Sequence, residues 1–456
     1  MGEVPFDSLR KRMTTLHSAG KDRVLVCLKG APEAVLDPTV LADHPDLLAR
    51  ARQEAGGLAT RGHRVLAVAS GTRDDVPIPV TAAESGLALL GLVALSDPPK
   101  PHASATLAAC RTAGITPVLI TGDHPATAKA VASRVALCAD GDESEGRVAT
   151  GAEVAAGRVP DLTAVRVFAR TDPQQKLDVI EAWRVRGAVT AMTGAGVNDG
   201  PALHRADIGV AMGARGTEVA RQAADLVLTD DELSTVVAAV EEGRRVYDNI
   251  RRFLVYGMAG GAAEILVMLA GPLLGLPLPP RAGQILWINL LTHGLTGVAM
   301  GAEPAAPGVM RRPPRPPDQH ILGDGAWQRL LLLAAAVTAA ALGAGLVAHA
   351  LGPAWQSVLF LALLAAQLGV VLGLRDRLLT RRNPFLPLAV LLSALLAAAA
   401  LYVPFLSSVL DTEALDPIGA GIGVACAPIG FLVARLVRTA FRKTDPTGRS
   451  GASGLR

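Results

Sequence analysis

At 456 residues, 50% hydrophobic and with a mean hydropathy of +0.36, the chain is too apolar for an ordinary soluble protein. Its net charge of +3 is small for this length and no basic stripe is interleaved with aromatics, so nucleic-acid binding finds little support. The four cysteines, Cys27, Cys110, Cys138 and Cys426, are far apart and make no Cys-X-X-Cys pair, which argues against a zinc site or a disulfide scaffold.

Met1 to Gly20 is charged and has no apolar core, so no secretory signal is expected and the N-terminus is expected in the cytosol. Strand-like runs follow at Arg23 to Leu28 and Arg64 to Ser70. Lys29-Gly30, at the end of the first run, either presents an ammonium to a phosphate or makes a solvated turn. From Leu87 to Asp231 apolar strands alternate with helical segments: Leu87 to Leu95, Thr116 to Ile120, Val165 to Ala169, Ala188 to Met192, Ile208 to Met212 and Leu226 to Leu228. That alternation predicts a mostly parallel sheet covered on both faces. Polar groups gather at strand ends, in Asp97-Pro98-Pro99-Lys100, in Thr121-Gly122-Asp123 and in Asp172-Pro173-X-X-Lys176. Asp123 reads equally as a helix cap before Pro125, and Lys176 as a surface lysine.

The stretch Thr193-Gly194-Ala195-Gly196-Val197-Asn198-Asp199-Gly200-Pro201-Ala202-Leu203 reads as strand, tight loop and helix start. Its glycines let the backbone turn and approach a ligand, while Asn198 and Asp199 offer polar groups at the carboxyl end of a strand, where open α/β sheets place their chemistry. A plain turn has the same composition.

Past Arg252 long apolar runs recur, and about six are long enough to cross a bilayer, near 253–275, 283–302, 327–351, 354–374, 384–406 and 417–437. Arginines cluster in alternate loops (Arg311, Arg312, Arg315 and Arg329; Arg375, Arg377, Arg381 and Arg382; Arg435, Arg438, Arg442 and Lys443), which by the positive-inside rule puts both termini in the cytosol. Glu264 lies mid-span, where a charge costs on the order of 3 kcal/mol. In the next span Asn289, Thr292 and His293 are three or four residues apart and share a helix face. They form either a hydrogen-bond network between helices or an ion site of the carboxylate and amide oxygens that hard cations take. His293 is a poor ligand for calcium.

Together these motifs resemble the P-type cation-transporting ATPases. The Thr193 stretch is similar to that family's hinge motif, Thr-Gly-Asp-Gly-Val-Asn-Asp-X-Pro-Ala-Leu, with Ala195 in place of the first Asp. Phe6-Asp7-Ser8-Leu9-Arg10-Lys11-Arg12-Met13 and Lys29-Gly30-Ala31-Pro32-Glu33 resemble its nucleotide-binding domain. The resemblance implies that Phe6 stacks on adenine, that Lys29 and Gly30 line the pocket and that Arg64 reaches the phosphates. It implies a haloacid-dehalogenase-like fold in which Thr121, Gly122, Asp123, Lys176, Asn198 and Asp199 serve phosphoryl transfer, with ATP and Mg²⁺ as cofactors and Asp199 as the remaining Mg²⁺ ligand. A developing phosphoryl charge needs a hydroxyl, an ammonium and a metal ion prearranged around it. For the membrane part it implies that Glu264, Asn289, Thr292, His293 and Gln367 surround the transported cation. The family's Cys-Pro-Cys signature for heavy metals is absent.

No Asp-Lys-Thr-Gly-Thr, the family's nucleophile motif, occurs in the sequence. Its strand lies between the Thr121 and Ala195 strands in that fold, so two strand edges are expected to be exposed. The expectation is therefore an α/β protein plus an all-α membrane part: residues 1–90 as the end of a nucleotide-binding domain, 91–235 as a phosphorylation domain lacking its nucleophile strand, 236–440 as stalk and six membrane helices, and 441–456 as a disordered tail. It would reside in the cell membrane as the C-terminal part of an ATP-driven pump, unable to autophosphorylate or transport alone, either because its start is mis-called or because an N-terminal half is encoded separately. The alternative is a degenerate membrane protein that binds nucleotide or regulates another pump.

Overall fold

Period-two alternation in the first hundred residues builds one antiparallel sheet. Its strands are β1 (Glu3–Asp7), β2 (Arg12–Ser18), β3 (Val24–Gly30), β4 (Arg64–Arg73) and β5 (Ala88–Leu95), side by side in that order. Leu16, Val26, Leu28, Ala67 and Ala69 form the buried face and pack on Val35 of helix Pro32–Val35 and on Leu48 and Ala51 of helix Pro45–Thr60. Each fully buried leucine contributes about 2 kcal/mol, which fixes the face that turns inward. Glu84 pins the sheet's edge: Thr14 Oγ1 donates to it at 2.6 Å, Arg12 Nε donates at 2.9 Å, and Arg10 is its third partner.

The computed structural model describes residues 2–7, 10–20, 23–75, 80–96, 98–137, 148–277, 280–352, 354–375 and 382–442. Asp97, Cys138, Arg377, Arg381 and the tail from Lys443 onward lie outside them. Cys27, Cys110 and Cys426 are free thiols.

The run Leu87 to Leu95, expected in the parallel sheet, instead pairs antiparallel with β4. Its continuous apolar character resembles a strand buried on both faces, yet Val93 and Leu95, opposite Leu66 and Arg64 on the face turned away from the core, and Leu90 at a bulge are exposed. The remaining strands form two parallel sheets rather than one. β6 (Leu119–Ile120), β7 (Val148–Thr150) and β8 (Val167–Ala169) run in the order β6-β8-β7, and β9 (Ala191–Gly194), β10 (Ile208–Met212) and β11 (Leu226–Leu228) in the order β11-β10-β9. Among the described residues β6 and β9 are both sheet edges. Helix Pro173–Val185 begins where Asp172 predicts: its carboxylate accepts the N–H groups of Gln174 and Gln175, and Gln175 returns a bond to the Asp172 amide.

By contacts the chain divides into two compact units, Met1–Val237 and Ala238–Arg456. Among the described residues five helices are long and apolar enough to cross a membrane: Leu233–Leu273, Ala326–Leu351, Trp355–Leu374, Phe385–Tyr402 and Pro417–Phe441. Several such helices in one unit are the pattern of a multi-pass membrane protein. The stretch expected as the second span is a broken rod, with α-helix Ala282–Trp287, π-helix Ile288–His293 and α-helix Gly294–Gly301. Trp355–Leu374 is the central helix, buried on nearly every side. Gly369 and Gly430 let it meet helix Cys426–Arg442 backbone to backbone, since a Cβ at Gly369 would stand 2.0 Å from Ala427 O and one at Gly430 2.1 Å from Ala366 O. At one end of this bundle the buried Arg375 donates through Nε to Glu303 Oε1 at 2.9 Å, and Asn383 Nδ2 donates to the same oxygen at 2.7 Å.

Candidate functional site

In the first unit the expected nucleotide residues share one sheet face. Lys29 lies opposite Met13 on β2 and Val68 on β4, and Asp7 pairs with Arg12, which brings Phe6 beside Met13. Phe6, Met13, Lys29 and Val68 thus form a row on the face turned away from the core, with Phe6 62% exposed. Arg64 lies on the same face of β4, four residues from Val68. Gly30 ends β3 where a Cβ would stand 2.6 Å from both Lys11 O and Arg12 Cβ, so this close strand approach admits no side chain.

Arg64 Nε lies 3.9 Å from Asp123 Oδ1, and Arg170 bridges Glu33 Oε1 at 2.5 Å and the Gly122 carbonyl at 3.1 Å. The Lys29–Glu33 segment and the Thr121-Gly122-Asp123 loop therefore meet. Arg170, which holds them together, has no sequence signature beyond its place after a strand; its left-handed backbone (φ 51°) turns it there. Thr121 Oγ1 donates to Asp123 Oδ2 at 3.1 Å and accepts the Asp123 amide, a self-contained turn at the end of β6. The Thr121 carbonyl accepts both the amide and the hydroxyl of Thr171, two residues before helix Pro173–Val185 begins, so Lys176 in that helix's first turn belongs to the same end of the strands.

Lys176 Nζ donates to Asp199 Oδ1 at 2.6 Å, and Asp199 Oδ2 accepts the amides of Ala195 (3.0 Å) and Gly196 (2.9 Å). Burial pushes the Asp199 carboxyl up, but the Lys176 ammonium and these amides outweigh it and hold the group below its ordinary range. Asn198 is exposed beside it. Both carboxylate oxygens are engaged, and no cluster of three or more His, Cys, Asp or Glu side chains occurs among the described residues. The residues present do not by themselves fit Mg²⁺. The exposed Phe6–Lys29 row does fit a nucleotide, offering an aromatic face and a cation on one surface.

In the second unit Glu264, 2% exposed, accepts Asn289 Nδ2 on Oε2 at 2.8 Å and Gln367 Nε2 on Oε1 at 3.2 Å. Asn289 Oδ1 faces His293 Nδ1 at 3.0 Å. Four of the five expected membrane residues form one chain of contacts across three helical stretches. Thr292 is buried in the same π segment but lies outside the hydrogen bonds described for that chain. Tyr256, not anticipated from sequence, packs edge-on against the His293 ring at 5.0 Å and binds Thr296 Oγ1. A π segment at such a cluster is a recurring mark of functional sites.

Comparison with known proteins identifies the family of the chain. The family described as "P-type ATPase, cytoplasmic domain N" matches residues 1–102, and "Cation transporting ATPase, C-terminus" matches residues 277–440. The chain is 45% identical over 352 residues to a probable cation-transporting ATPase F of Mycobacterium tuberculosis, covering 74% of this chain and 39% of that one. It is 37% identical over 437 residues to a calcium-transporting ATPase of Bacillus subtilis, covering 91% of this chain and 49% of the relative. The chain spans about half, or less, of the length of the curated relatives it matches. It belongs to the P-type cation-transporting ATPase family.

Proposed function

We propose that this chain supplies the nucleotide-binding face, the phosphoryl-handling loops and the ion-binding helices of an ATP-driven cation pump in the cell membrane, both termini in the cytosol. The observation that carries this is the meeting of the Phe6–Lys29–Arg64 face with the Thr121-Gly122-Asp123 loop through Arg64–Asp123 and Glu33–Arg170. ATP, when bound, would supply the phosphoryl group; Phe6 would stack on the base, Lys29 and Arg64 would neutralise phosphates, and Thr121 and Lys176 would offer a hydroxyl and an ammonium. With no Asp-Lys-Thr-Gly-Thr in the sequence, the phosphoryl acceptor is assigned to polypeptide outside it, in an N-terminal half. The edges β6 and β9, each ending in a candidate loop, support a haloacid-dehalogenase-like sheet completed by a strand from that segment. In this reading the broken rod Ala282–Gly301 is the second span and brings the number to six, and Glu264, Asn289, Thr292, His293 and Gln367 surround the cargo.

A fluorescent ATP analogue titrated onto the full chain tests the nucleotide face. Phe6→Ala and Lys29→Ala should each weaken binding at least tenfold; unchanged affinity in both overturns it. Ala195, with Asp199 tied to Lys176, favours a second reading, a nucleotide-binding regulator without turnover. Co-expression with a relative's N-terminal half and labelled ATP separates them: an acyl phosphate with native Ala195 supports the pump, whereas one seen only with Ala195→Asp supports the regulator.

A further inference from the structure

Resting on the ion-site reading above, we infer that His293 is itself a ligand and that the cargo is a first-row divalent transition ion such as Mn²⁺ or Co²⁺ rather than Ca²⁺. The hydrogen bonds fix the ring. Asn289 donates its amide N–H to Glu264, so its Oδ1 faces His293 Nδ1 and that ring nitrogen must carry the proton. The neutral imidazole then has its lone pair on Nε2. His293 is 7% exposed and Gln367 1%, and neither Nε2 nor Gln367 Oε1 has a hydrogen-bond partner.

Both side chains converge on the bare Cα of Gly260, where a Cβ would stand 2.6 Å from Nε2 and 3.3 Å from Gln367 Cδ. Two buried acceptors at one place, neither of them hydrogen-bonded, repel each other, a combination that positive charge between them resolves. An imidazole nitrogen beside amide and carboxylate oxygens is a mixed donor set that first-row transition ions accept, whereas Ca²⁺ takes roughly 6–8 oxygens. The bond from Nδ1–H to the Asn289 carbonyl orients the ring in the way that a carbonyl behind the ring orients metal-ligating histidines.

The test uses the full chain in detergent, titrated separately with MnCl2, CoCl2 and CaCl2, with pulsed EPR of the Mn²⁺ complex read for nitrogen coupling. The expected result is tighter binding of Mn²⁺ than of Ca²⁺, with an imidazole nitrogen signal that His293→Gln abolishes. His293→Asp should lower the Mn²⁺ to Ca²⁺ affinity ratio at least tenfold, and Gly260→Ala, which removes no donor, should weaken Mn²⁺ at least tenfold. Mn²⁺ bound without nitrogen coupling, or a ratio unchanged in His293→Asp, overturns the inference while the ion-site reading stands. If Glu264→Gln leaves every cation bound as before, the ion-site reading itself fails. Each variant is compared at matched elution profile, and His293→Gln, near in volume, keeps the test decisive should Gly260→Ala misfold.

Discussion

Lys176 and Asp199 form a mostly enclosed ion pair, Nζ to Oδ1 at 2.6 Å, with side chains only 14% and 17% exposed. Twenty-three residues separate them, and the pair fastens the start of one helix to the loop that follows β9. Asp199 passes this restraint to the backbone by accepting two consecutive amides on its other oxygen.

Lys176→Met leaves that carboxylate without its cation, and the loop should open more often. Amide hydrogen exchange at Ala195 and Gly196 is expected to speed up about tenfold, the equivalent of about 1.4 kcal/mol. Unchanged exchange at both amides would show that the ammonium does not hold the loop.

Glu84 sets an acid limit on the antiparallel sheet. Burial pushes its carboxyl up, but Arg10, Thr14 and Arg12 outweigh it and hold the group below its ordinary range. A depressed native value means stability that is present above the unfolded carboxylate range, near pH 4, and is lost as pH falls through the native value. Protection of β2 amides should therefore fall below about pH 4, and Glu84→Gln should remove much of that pH dependence while lowering protection at pH 7.

His124 gives a second, milder transition. Its Nδ1 accepts the Ala126 amide at 3.2 Å as the N-cap of helix Pro125–Arg134. Burial lowers its affinity for a proton, Arg170 and Lys11 reinforce that, and Glu33 opposes it. Here too the native value is depressed, so the contribution is present above about pH 6.5 and lost as pH falls. The cap is worth about 1 kcal/mol. His124→Asn, which keeps an acceptor without titrating, should abolish the pH 5 to 7 change in exchange at Ala126.

Arg375 is the most enclosed cation among the described residues of the membrane unit, its side chain fully buried against Glu303. Arg375→Met strands the Glu303 carboxylate and should cost on the order of 3–5 kcal/mol, seen as a lowered thermal midpoint of the full chain by size-exclusion chromatography. The double variant with Glu303→Met should recover a substantial part of that loss; a double variant worse than the single would contradict the pairing.

Local chemistry made much of this readable. Asp172-Pro173 and the alternation around Val26 and Leu28 act within a few residues, and the structure has the expected helix start and buried face. Leu87 to Leu95 misled because an apolar run carries no information about strand direction; pairing with β4 is decided by a partner some twenty residues away. Glu264, Asn289, His293 and Gln367 could be listed from residue type, but their order of contact depends on Gly260 and on the π turn, neither of which leaves a periodic trace. Arg170 was invisible for a related reason: its role comes from a backbone conformation and from Glu33, far away in sequence.

The π turn makes the rod Ala282–Gly301 sensitive to length rather than to composition. An α-helix advances about 100° per residue, so the extra residue absorbed between Ile288 and His293 sets the angular phase of everything after it. Thr296 reaches Tyr256 Oη at 3.2 Å only in that phase. Deleting Leu290, which is 66% exposed and makes no polar bond of its own side chain, would turn the downstream segment by about 100°. Exchanging the same residue for another apolar one would leave the phase, and the Tyr256 ring set edge-on to His293, where they are.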